Sequence, residues 1–416
     1  GASSASGLIA AALAAQSGRG SITVPRGTLR SGGLGRALAS AAPPLQRLAP
    51  DAEVEREYGG RFLPEYTKKH LLGKGACGAV WLASGIANGS DVAVKQVAKG
   101  SGQKQSADVR SACKEIRIGE MLFAPGGAPR VSSTCSPGIR HITRLIDATE
   151  TKSDIFLVME YGGAVLSKAL YDIKGEFVAR GSFQPRERVY RVHHLPLLET
   201  MKRDPRVMKR LLKQVLQAIQ TLSEHRIVHS DLKPDNILIE HAEGDEMRSQ
   251  ARLCDFGSAF VLDSPEPLAL ATPEYMPPEA LESCLSGNNG DVNAAGGQRA
   301  VGAPWAFDIW SLGAIMLELC FGVPHWLSYK CRVRGPDAKD HSVTGLFAVP
   351  GRDHERILQR QMEIVGEGDI RRILRDAGGV PLDGDGLDLL EAMLAWDADA
   401  RISPRAALAH PYLTGI

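Results

Sequence analysis

The chain has 416 residues, which at roughly 150 residues per domain allows two or three domains or one large two-lobed fold. With 44% apolar and 23% charged residues it can bury a sizeable core, which excludes a disordered, collagenous or disulfide-stapled chain. Its 49 Lys and Arg against 48 Asp and Glu give a formal charge of +1, so no global field favours nucleic acid or an anionic membrane. No nucleic-acid partner is therefore expected.

Cysteine use and hydropathy indicate the redox state of the cellular compartment and whether the chain crosses a membrane. The seven cysteines are widely spaced and form no C-x-x-C pair, which argues against a zinc site or a secreted disulfide framework and for a reducing compartment. The longest apolar run near the start, residues 8–15, is far shorter than the roughly 20 residues that span a bilayer. We expect no membrane span in this chain, while an anchor upstream of Gly1 stays open because the chain does not begin with Met.

The first 58 residues differ in composition from the rest. Residues 1–50 contain five Arg, no Asp or Glu, and mostly Ala, Ser, Gly and Pro. Such a segment has too little apolar area to offset chain entropy, which predicts disorder. An Arg-rich, Ser-rich and acid-free composition is also typical of an organelle transit peptide. Residues 1–58 are therefore interpreted as a disordered tail or as a transit-peptide remnant.

Hydrophobic periodicity predicts strands first and helices later. Strands are expected at 70–72, 79–83, 91–97 and 155–160, with one helix at 106–123. After Gly163 the chain is predicted to be mainly helical, with long helices at 205–225, 307–321 and 387–396. Stretches rich in Gly, Pro or Ser predict surface loops at 124–138, 283–304 and 333–352.

A glycine-rich turn joins the first two predicted strands. Gly73, Gly75 and Gly78, followed by Val80, form the pattern G-x-G-x-x-G-x-V. Glycines let main-chain N–H groups approach a phosphate closely. Dinucleotide-binding loops share this spacing, but they open a helix, whereas residues 79–83 continue as a strand. The pattern favours a nucleotide phosphate held by a turn between strands.

A lysine follows at the end of the next apolar strand. Lys95 closes the run Val-Ala-Val-Lys, where a lone lysine is usually only an edge residue whose stem packs on apolar surface. Together with the preceding glycines it becomes a candidate for the α- and β-phosphates of ATP. Such a lysine needs an anionic partner, and the predicted helix offers Glu115 or Glu120. Glu115 is preferred because it precedes the apolar residues Ile116 and Ile118.

Polar residues with the chemistry of phosphoryl transfer cluster further along. The stretch 229–239 reads His-Ser-Asp-Leu-Lys-Pro-Asp-Asn-Ile-Leu-Ile, and Asp-Phe-Gly follows at 255–257. Phosphoryl transfer needs a carboxylate to accept the hydroxyl proton, a cation for the transferred group and oxygen ligands for Mg²⁺. Asp231 and Lys233 fit the first two roles, and Asn236 with Asp255 fits the third.

With these motifs in this order the chain resembles the eukaryotic protein kinases, from about residue 66 to 413. The resemblance implies an α+β, bilobal kinase fold, in which 59–160 form a small β-rich lobe with one helix and 161–416 a large helical lobe with loop insertions. It implies ATP and Mg²⁺ as cofactors and a protein substrate. It also implies that Asp231 is the catalytic base, that Lys233 neutralises developing charge, and that Lys95 pairs with Glu115.

The resemblance also assigns the nucleotide pocket. The adenine is expected between Val80 and Ala93 on one side and Leu238 on the other, behind Met159, with its edge at the hinge. The implied pocket residues are Gly73, Lys74, Gly75, Ala76, Cys77, Gly78, Val80, Ala93, Lys95, Met159, Glu160, Tyr161, Gly162 and Leu238; the implied metal ligands are Asn236 and Asp255.

The large lobe carries further matches to the family. Residues 272–279 resemble its peptide-binding loop, Glu279 is expected to pair with Arg401, and Asp308 to brace the catalytic loop. Lys233 with Thr272 resembles the serine/threonine pattern, and phosphorylation of Tyr as well stays open. Two alternatives remain: a pseudokinase scaffold, which has no chemical need for the whole catalytic set, and a small-molecule kinase, which does not need the peptide loop.

Two departures bear on regulation. Ser230 stands where most members carry an Arg that anchors a phosphorylated activation loop, so little dependence on such phosphorylation is expected. Cys254 and Cys77 lie in the predicted pocket. Such thiols are usually inert, and the sharper hypothesis is that lysines and a metal nearby make them ionise and react with oxidants.

Composition gives the only indication of the cellular location and substrates of this chain. The acid-free tail, the cysteine use and the loop insertions are compatible with a chloroplast kinase, and Ala-, Gly- and Arg-rich loops suggest a high-GC genome such as that of a green alga. On that basis the chain is similar to the thylakoid state-transition kinases, which phosphorylate light-harvesting antenna proteins. Those kinases have an N-terminal membrane anchor with luminal cysteines, of which residues 1–416 show no counterpart, and commonly read Asp-Leu-Gly where this chain has Asp-Phe-Gly at 255–257. A nucleocytoplasmic kinase is the alternative.

Overall fold

The structure is a computed structural model. It describes residues 62–75, 78–100, 103–130, 136–178, 187–240, 248–262, 272–286, 303–322, 330–334, 340–344, 353–366, 369–375 and 377–415. The predicted tail 1–58 lies outside these residues, as do Ala76 and Cys77 of the glycine-rich turn.

The first lobe is a five-stranded antiparallel sheet in the order β1-β2-β3-β5-β4, with one helix packed on it. Its apolar strands bury both faces at the centre, where β3 is buried over six consecutive positions. The elements are β1 (Tyr66–Gly75), β2 (Gly78–Gly85), β3 (Asp91–Ala98), α1 (Gln103–Leu122), β4 (Leu145–Glu150) and β5 (Asp154–Glu160).

The register of this sheet places the predicted pocket residues side by side. Val80 on β2 pairs with Lys95 on β3, and Ala93 on β3 pairs with Met159 on β5. Gly78 begins β2 with φ +153°, and a Cβ there would lie 2.4 Å from the carbonyl oxygen of Gln96. Only glycine therefore lets the turn close this tightly on β3.

The second lobe is built around two long helices. In α6 (Ala306–Phe321) all 16 residues are buried, as expected of a helix that is apolar all round. Helix α4 (Pro205–Glu224) is amphipathic and N-capped by Asp204. The other elements are β6 (Ala164–Val165), α2 (Ser167–Leu170), β7 (Tyr171–Val178), β8 (Glu187–His194), α3 (Pro196–Arg203), β9 (Ile227–Val228), β10 (Ile237–Glu240), β11 (Gln250–Leu253), β12 (Phe260–Val261), α5 (Pro278–Leu285), β13 (Lys330–Arg334), β14 (Asp340–Thr344), α7 (Asp353–Gln361), α8 (Ile370–Leu374), α9 (Gly384–Met393) and α10 (Pro404–Leu408).

The predicted α+β fold of two lobes is confirmed, but two of its details are corrected. The chain after Gly163 is mainly helical, as predicted, and it also contains two antiparallel hairpins, in which β7 pairs with β8 and β13 with β14. The second hairpin overlaps the predicted loop 333–352. Strand β4 was not predicted: only Leu145 of its six residues is buried, so it lacks the alternation that marks a strand.

Among the described residues, no helix combines the length and the apolar character needed to cross a membrane.

Candidate active site

Lys95 lies at the centre of a buried ion-pair cluster between the lobes. Its Nζ is 2.6 Å from Oε2 of Glu115 on α1 and 2.9 Å from Oδ1 of Asp255. The predicted partner Glu115 is 5% exposed, whereas the alternative Glu120 is exposed. Burial favours the neutral amine, but the charges of Asp255 and Glu115 outweigh burial and raise the pKa of Lys95. The lysine therefore stays charged.

The two carboxylates around Lys95 have different environments. Burial raises the pKa of Glu115 despite the nearby lysine, and the main-chain N–H of Phe256 supports its charged form. The charge of Lys95 lowers the pKa of Asp255 to about 2. The Asp255 side chain is 48% exposed, and its backbone is left-handed with φ 62°. Asp255 is thus an ionised carboxylate with one side open to the cleft.

Asp231 is held by three neighbours in a second cluster. Thr272 donates to its Oδ1 from both Oγ1, at 2.6 Å, and the main-chain N, at 2.8 Å. Lys233 Nζ donates to its Oδ2 at 2.7 Å and to Thr272 Oγ1 at 2.6 Å. Asn236 Nδ2 donates to the Asp231 carbonyl at 2.7 Å. These contacts fix the carboxylate with charge-assisted hydrogen bonds.

The residues expected to hold Mg²⁺ fit that ion by the chemistry of their donor atoms. The amide nitrogen of Asn236 is used by Asp231, which leaves the amide oxygen Oδ1 as the donor for a cation. Asp255 contributes a carboxylate that is ionised and half exposed. Oxygen ligands from one or two side chains, completed by phosphate oxygens and water, are what Mg²⁺ prefers.

The catalytic loop is fastened to the large lobe through buried main-chain contacts. Asp308, on helix α6, accepts the N–H groups of His229 at 2.8 Å and Ser230 at 3.0 Å, as the resemblance implied. The His229 ring bonds the Cys254 carbonyl through Nε2 at 3.0 Å and lies 4.9 Å from the ring of Phe256. Position 230 is left-handed, with φ 61°. The loop and the Asp-Phe-Gly turn are therefore tied together as one unit.

Ser230 makes a direct contact with the segment after that turn. Its Oγ donates to the carbonyl of Ser258 at 2.9 Å, and the residue is 1% exposed. A neutral hydroxyl therefore binds the start of the segment at a position where the resemblance leads one to expect an arginine.

The hinge of the nucleotide pocket is shaped by a close approach of the main chain. A Cβ on Gly162 would lie 2.9 Å from Cδ1 of Leu238, so the missing side chain allows the hinge to meet β10. The Glu160 carboxylate is occupied by Arg144, whose Nε is 2.7 Å away, and lies 3.4 Å from Nε of Arg252. Through Glu160, the hinge is therefore bound to Arg144 in the small lobe and lies close to Arg252 in the large lobe.

The predicted peptide loop is bound to the rest of the large lobe by buried polar contacts. Arg401, with a fully buried side chain, forms the expected bidentate pair with Glu279 at 2.6 Å for both bonds. Tyr275 donates to Glu318 on α6 at 2.7 Å, and Gln361 donates to the Met276 carbonyl at 2.8 Å. Sequence reasoning missed Gln361, which no motif marks. In the sequence, Glu318 is marked only as the single acid in the apolar run 309–320.

The protein groups around Cys254 favour the inert interpretation over the hypothesis that this thiol ionises readily. Burial, followed by the charges of Asp255 and Glu115, raises the pKa of this thiol, and Lys95 offsets only part of the shift. These surroundings therefore favour the protonated thiol. Cys77 lies outside the described residues.

Comparison with known proteins agrees with this geometry. The family described as "Protein kinase domain" matches residues 66–413. The chain belongs to the protein kinase family. Curated relatives include "Cell division control protein 2 homolog 3" of Trypanosoma brucei brucei, 26% identical over 84% of this chain and 92% of the relative. "Mitogen-activated protein kinase 15" of Rattus norvegicus is 28% identical over 87% of this chain and 55% of its own length.

A third relative is described as a serine/threonine kinase. "Serine/threonine-protein kinase dkf-1" of Caenorhabditis briggsae is 28% identical over 67% of this chain and 29% of its own length. The chain thus spans most of one of these relatives but only about half or less of the other two. The predicted class of enzyme, a protein serine/threonine kinase, is confirmed by the family match and by these relatives.

Proposed function

We propose that this kinase is catalytically active and that its catalytic centre is ordered without phosphorylation of the activation segment. The observation that carries the proposal is that the described residues bring both clusters together with the contacts that phosphoryl transfer needs. Lys95 contacts Glu115 and Asp255, while Asp231 contacts Thr272 and Lys233. A scaffold without turnover has no chemical need for this arrangement.

The proposed reaction assigns one task to each group. Asp231 orients a serine or threonine hydroxyl and accepts its proton as the γ-phosphoryl group of ATP is transferred. Lys233, on the same carboxylate, neutralises charge that develops on the transferred group. Lys95 orients the other phosphates. Asn236 and Asp255 would hold Mg²⁺, which would supply positive charge to offset that of the phosphate groups.

The contact of Ser230 supports the second part of the proposal, that activity does not depend on phosphorylation of the activation segment. An arginine at this position would be a buried charge that requires an anionic partner such as a phosphate. Ser230 instead satisfies its side-chain donor with the Ser258 carbonyl, so the start of the segment has a partner with no added phosphate. The start of the segment, at Ser258, is then held by a neutral hydrogen bond.

Transfer of labelled γ-phosphate to a generic protein substrate tests both the catalytic activity and its independence from phosphorylation. Wild-type protein is assayed before and after complete dephosphorylation, with Asp231→Asn as the inactive control. We expect phosphoserine or phosphothreonine in the product, abolished by the substitution and changed less than about threefold by phosphatase, well under 1 kcal/mol. Absence of transfer despite ATP binding supports the pseudokinase scaffold instead. Loss of activity on dephosphorylation contradicts only the independence from phosphorylation.

The chloroplast location and the thylakoid antenna substrates remain part of the proposal. They are supported by the acid-free composition of residues 1–50 and by cysteine use, both properties of the sequence alone. Import of the tagged chain into isolated chloroplasts, followed by phosphorylation of thylakoid membranes, tests them. Exclusion from the organelle favours the nucleocytoplasmic alternative.

A further inference from the structure

One face of helix α1 contacts the Asp-Phe-Gly turn, Lys95 and strand β4 at three successive turns. Ser111, Glu115 and Gly119 follow each other at a spacing of four residues, which places them on the same side of the helix. A Cβ on Gly257 would lie 2.1 Å from Ser111 Oγ, so the Asp-Phe-Gly turn touches the first of these residues. Glu115 reaches Lys95 at the second.

The third contact depends on a glycine that helix chemistry does not favour. Gly119 is buried three residues before the end of α1, although glycine is among the poorest residues for a helix interior. A Cβ at this position would lie 2.5 Å from Cδ2 and 2.8 Å from Cβ of Leu145. Leu145 therefore occupies the volume that any larger residue at 119 would need.

Leu145 is not a free side chain that can turn aside. It is 9% exposed, lies at the start of β4, and pairs with Met159 of β5. It packs in a cluster with Val97, Ala112, Ile155 and Leu157, which sits beside Lys95 in the sheet. Because interiors are close-packed, a methyl group added at 119 displaces either this cluster or the helix.

The geometry points to Gly119 as a positioning residue of the kinase reaction. Its missing side chain lets Leu145 pack directly on α1, and this contact sets the depth at which Glu115 meets Lys95. The inference rests on the proposed function, because it assigns to Gly119 an effect on phosphoryl transfer through the Lys95–Glu115 pair. Gly119 itself touches neither the nucleotide nor the acceptor.

A double-mutant cycle with Leu145 tests this assignment. Gly119→Ala is expected to push α1 outward and lower kcat/KM for ATP by at least tenfold, since misplacement by about 1 Å can cost about 100-fold. Leu145→Ala opens the space that the new methyl group needs. The double variant is therefore expected to be within about threefold of Leu145→Ala, a coupling that independent sites do not show.

A matched glycine provides the control. Gly384 begins helix α9, and a Cβ there meets no atom within 4 Å, so Gly384→Ala is expected to leave kcat/KM unchanged. If Gly119→Ala is as active as wild type, or if the double variant loses as much as the two single losses combined, the assignment is overturned.

Thermal unfolding separates this inference from the proposed function. On helix propensity alone, Gly119→Ala raises Tm; the close contact with Leu145 predicts a lower Tm that the second substitution restores. If wild type transfers no phosphate, the proposed function fails, while the Tm cycle still measures the contact. If Gly119→Ala does not fold, the double variant is still required to fold and phosphorylate. A double variant that is unfolded or inactive overturns the inference.

Discussion

Lys95 and Asp231 lie in the same cleft, but their partners come from different distances along the chain. Lys95 is bound by Glu115, 20 positions away, and by Asp255, 160 positions away. Asp231 is bound by Lys233, two positions away, and by Thr272, 41 positions away. The Asp231 cluster is therefore partly built by a local turn, whereas the Lys95 cluster exists only when α1 and the Asp-Phe-Gly turn have reached their packed positions.

This difference indicates which of the two clusters a conformational change can alter more easily. A small movement of α1 would separate Glu115 from Lys95 and would act first on the Asp-Phe-Gly turn, which α1 touches through Ser111. The Asp231 loop is fixed to the buried helix α6 by Asp308, so it has little freedom of its own. Conformational control of this kinase is therefore expected to act on the Lys95 cluster.

Replacing Lys95 tests the cluster with the largest expected effect. Lys95→Met removes the cation and leaves the buried Glu115 carboxylate without this partner. We expect a fall in kcat of about 100- to 1,000-fold and a loss of about 3–5 kcal/mol in unfolding free energy. Steady-state kinetics and denaturant unfolding measure the two effects.

A double variant separates chemistry from stability at this cluster. In Lys95→Met/Glu115→Gln the unpaired charge is also removed, so much of the lost stability should return while activity does not. If stability stays as low as in Lys95→Met, the cost has another source than the stranded carboxylate.

Replacing Thr272 tests the Asp231 cluster with a smaller expected effect. Thr272→Val keeps the shape and the main-chain N–H but removes the hydroxyl that bridges Asp231 and Lys233. Hydrogen bonds to charged groups contribute about 1.5–3 kcal/mol, so kcat should fall about 10- to 100-fold with little change in KM for ATP. Thr272→Ser, which retains the hydroxyl, is the control and should stay near wild type; equal losses in both variants would contradict the role of the hydroxyl.

The smallest effect on catalysis is expected beneath the Asp231 cluster, at Glu318, where the expected change is in the pH dependence of stability. Burial raises the pKa of this carboxyl to about 8 from its ordinary value of 4.5. The folded state therefore holds a proton that the unfolded state releases. The resulting stabilisation is complete below about pH 4.5 and is lost as the pH rises toward 8.

Glu318→Gln removes this titration while keeping an acceptor for Tyr275. The unfolding free energy of wild type should fall between about pH 5 and about pH 8, and the slope should be smaller in the variant. Chemical denaturation across this range measures both slopes. Parallel curves for the two proteins argue against a proton on Glu318.

The candidate site residues could be predicted from the sequence because they occur in short motifs whose residue types indicate their chemistry. The order of the glycines, Lys95, Asp231 and Asp255 is enough to indicate phosphoryl transfer, and the choice of Glu115 over Glu120 follows from the apolar neighbours of Glu115. The hairpins β7–β8 and β13–β14 were not predicted, because neighbouring sequence does not reveal which strand will pair with which.

By itself, the sequence determined the reaction class and the two-lobed fold, and it predicted which groups lie around ATP, since these depend on residue types at fixed spacing. Only the tertiary structure decided how deeply α1 packs, through the contact of Gly119 with Leu145. It also decided the protonation of Cys254 and Glu318, whose pKa values depend on burial by distant elements. Burial and close contact arise from the whole packed chain, so no local pattern encodes them.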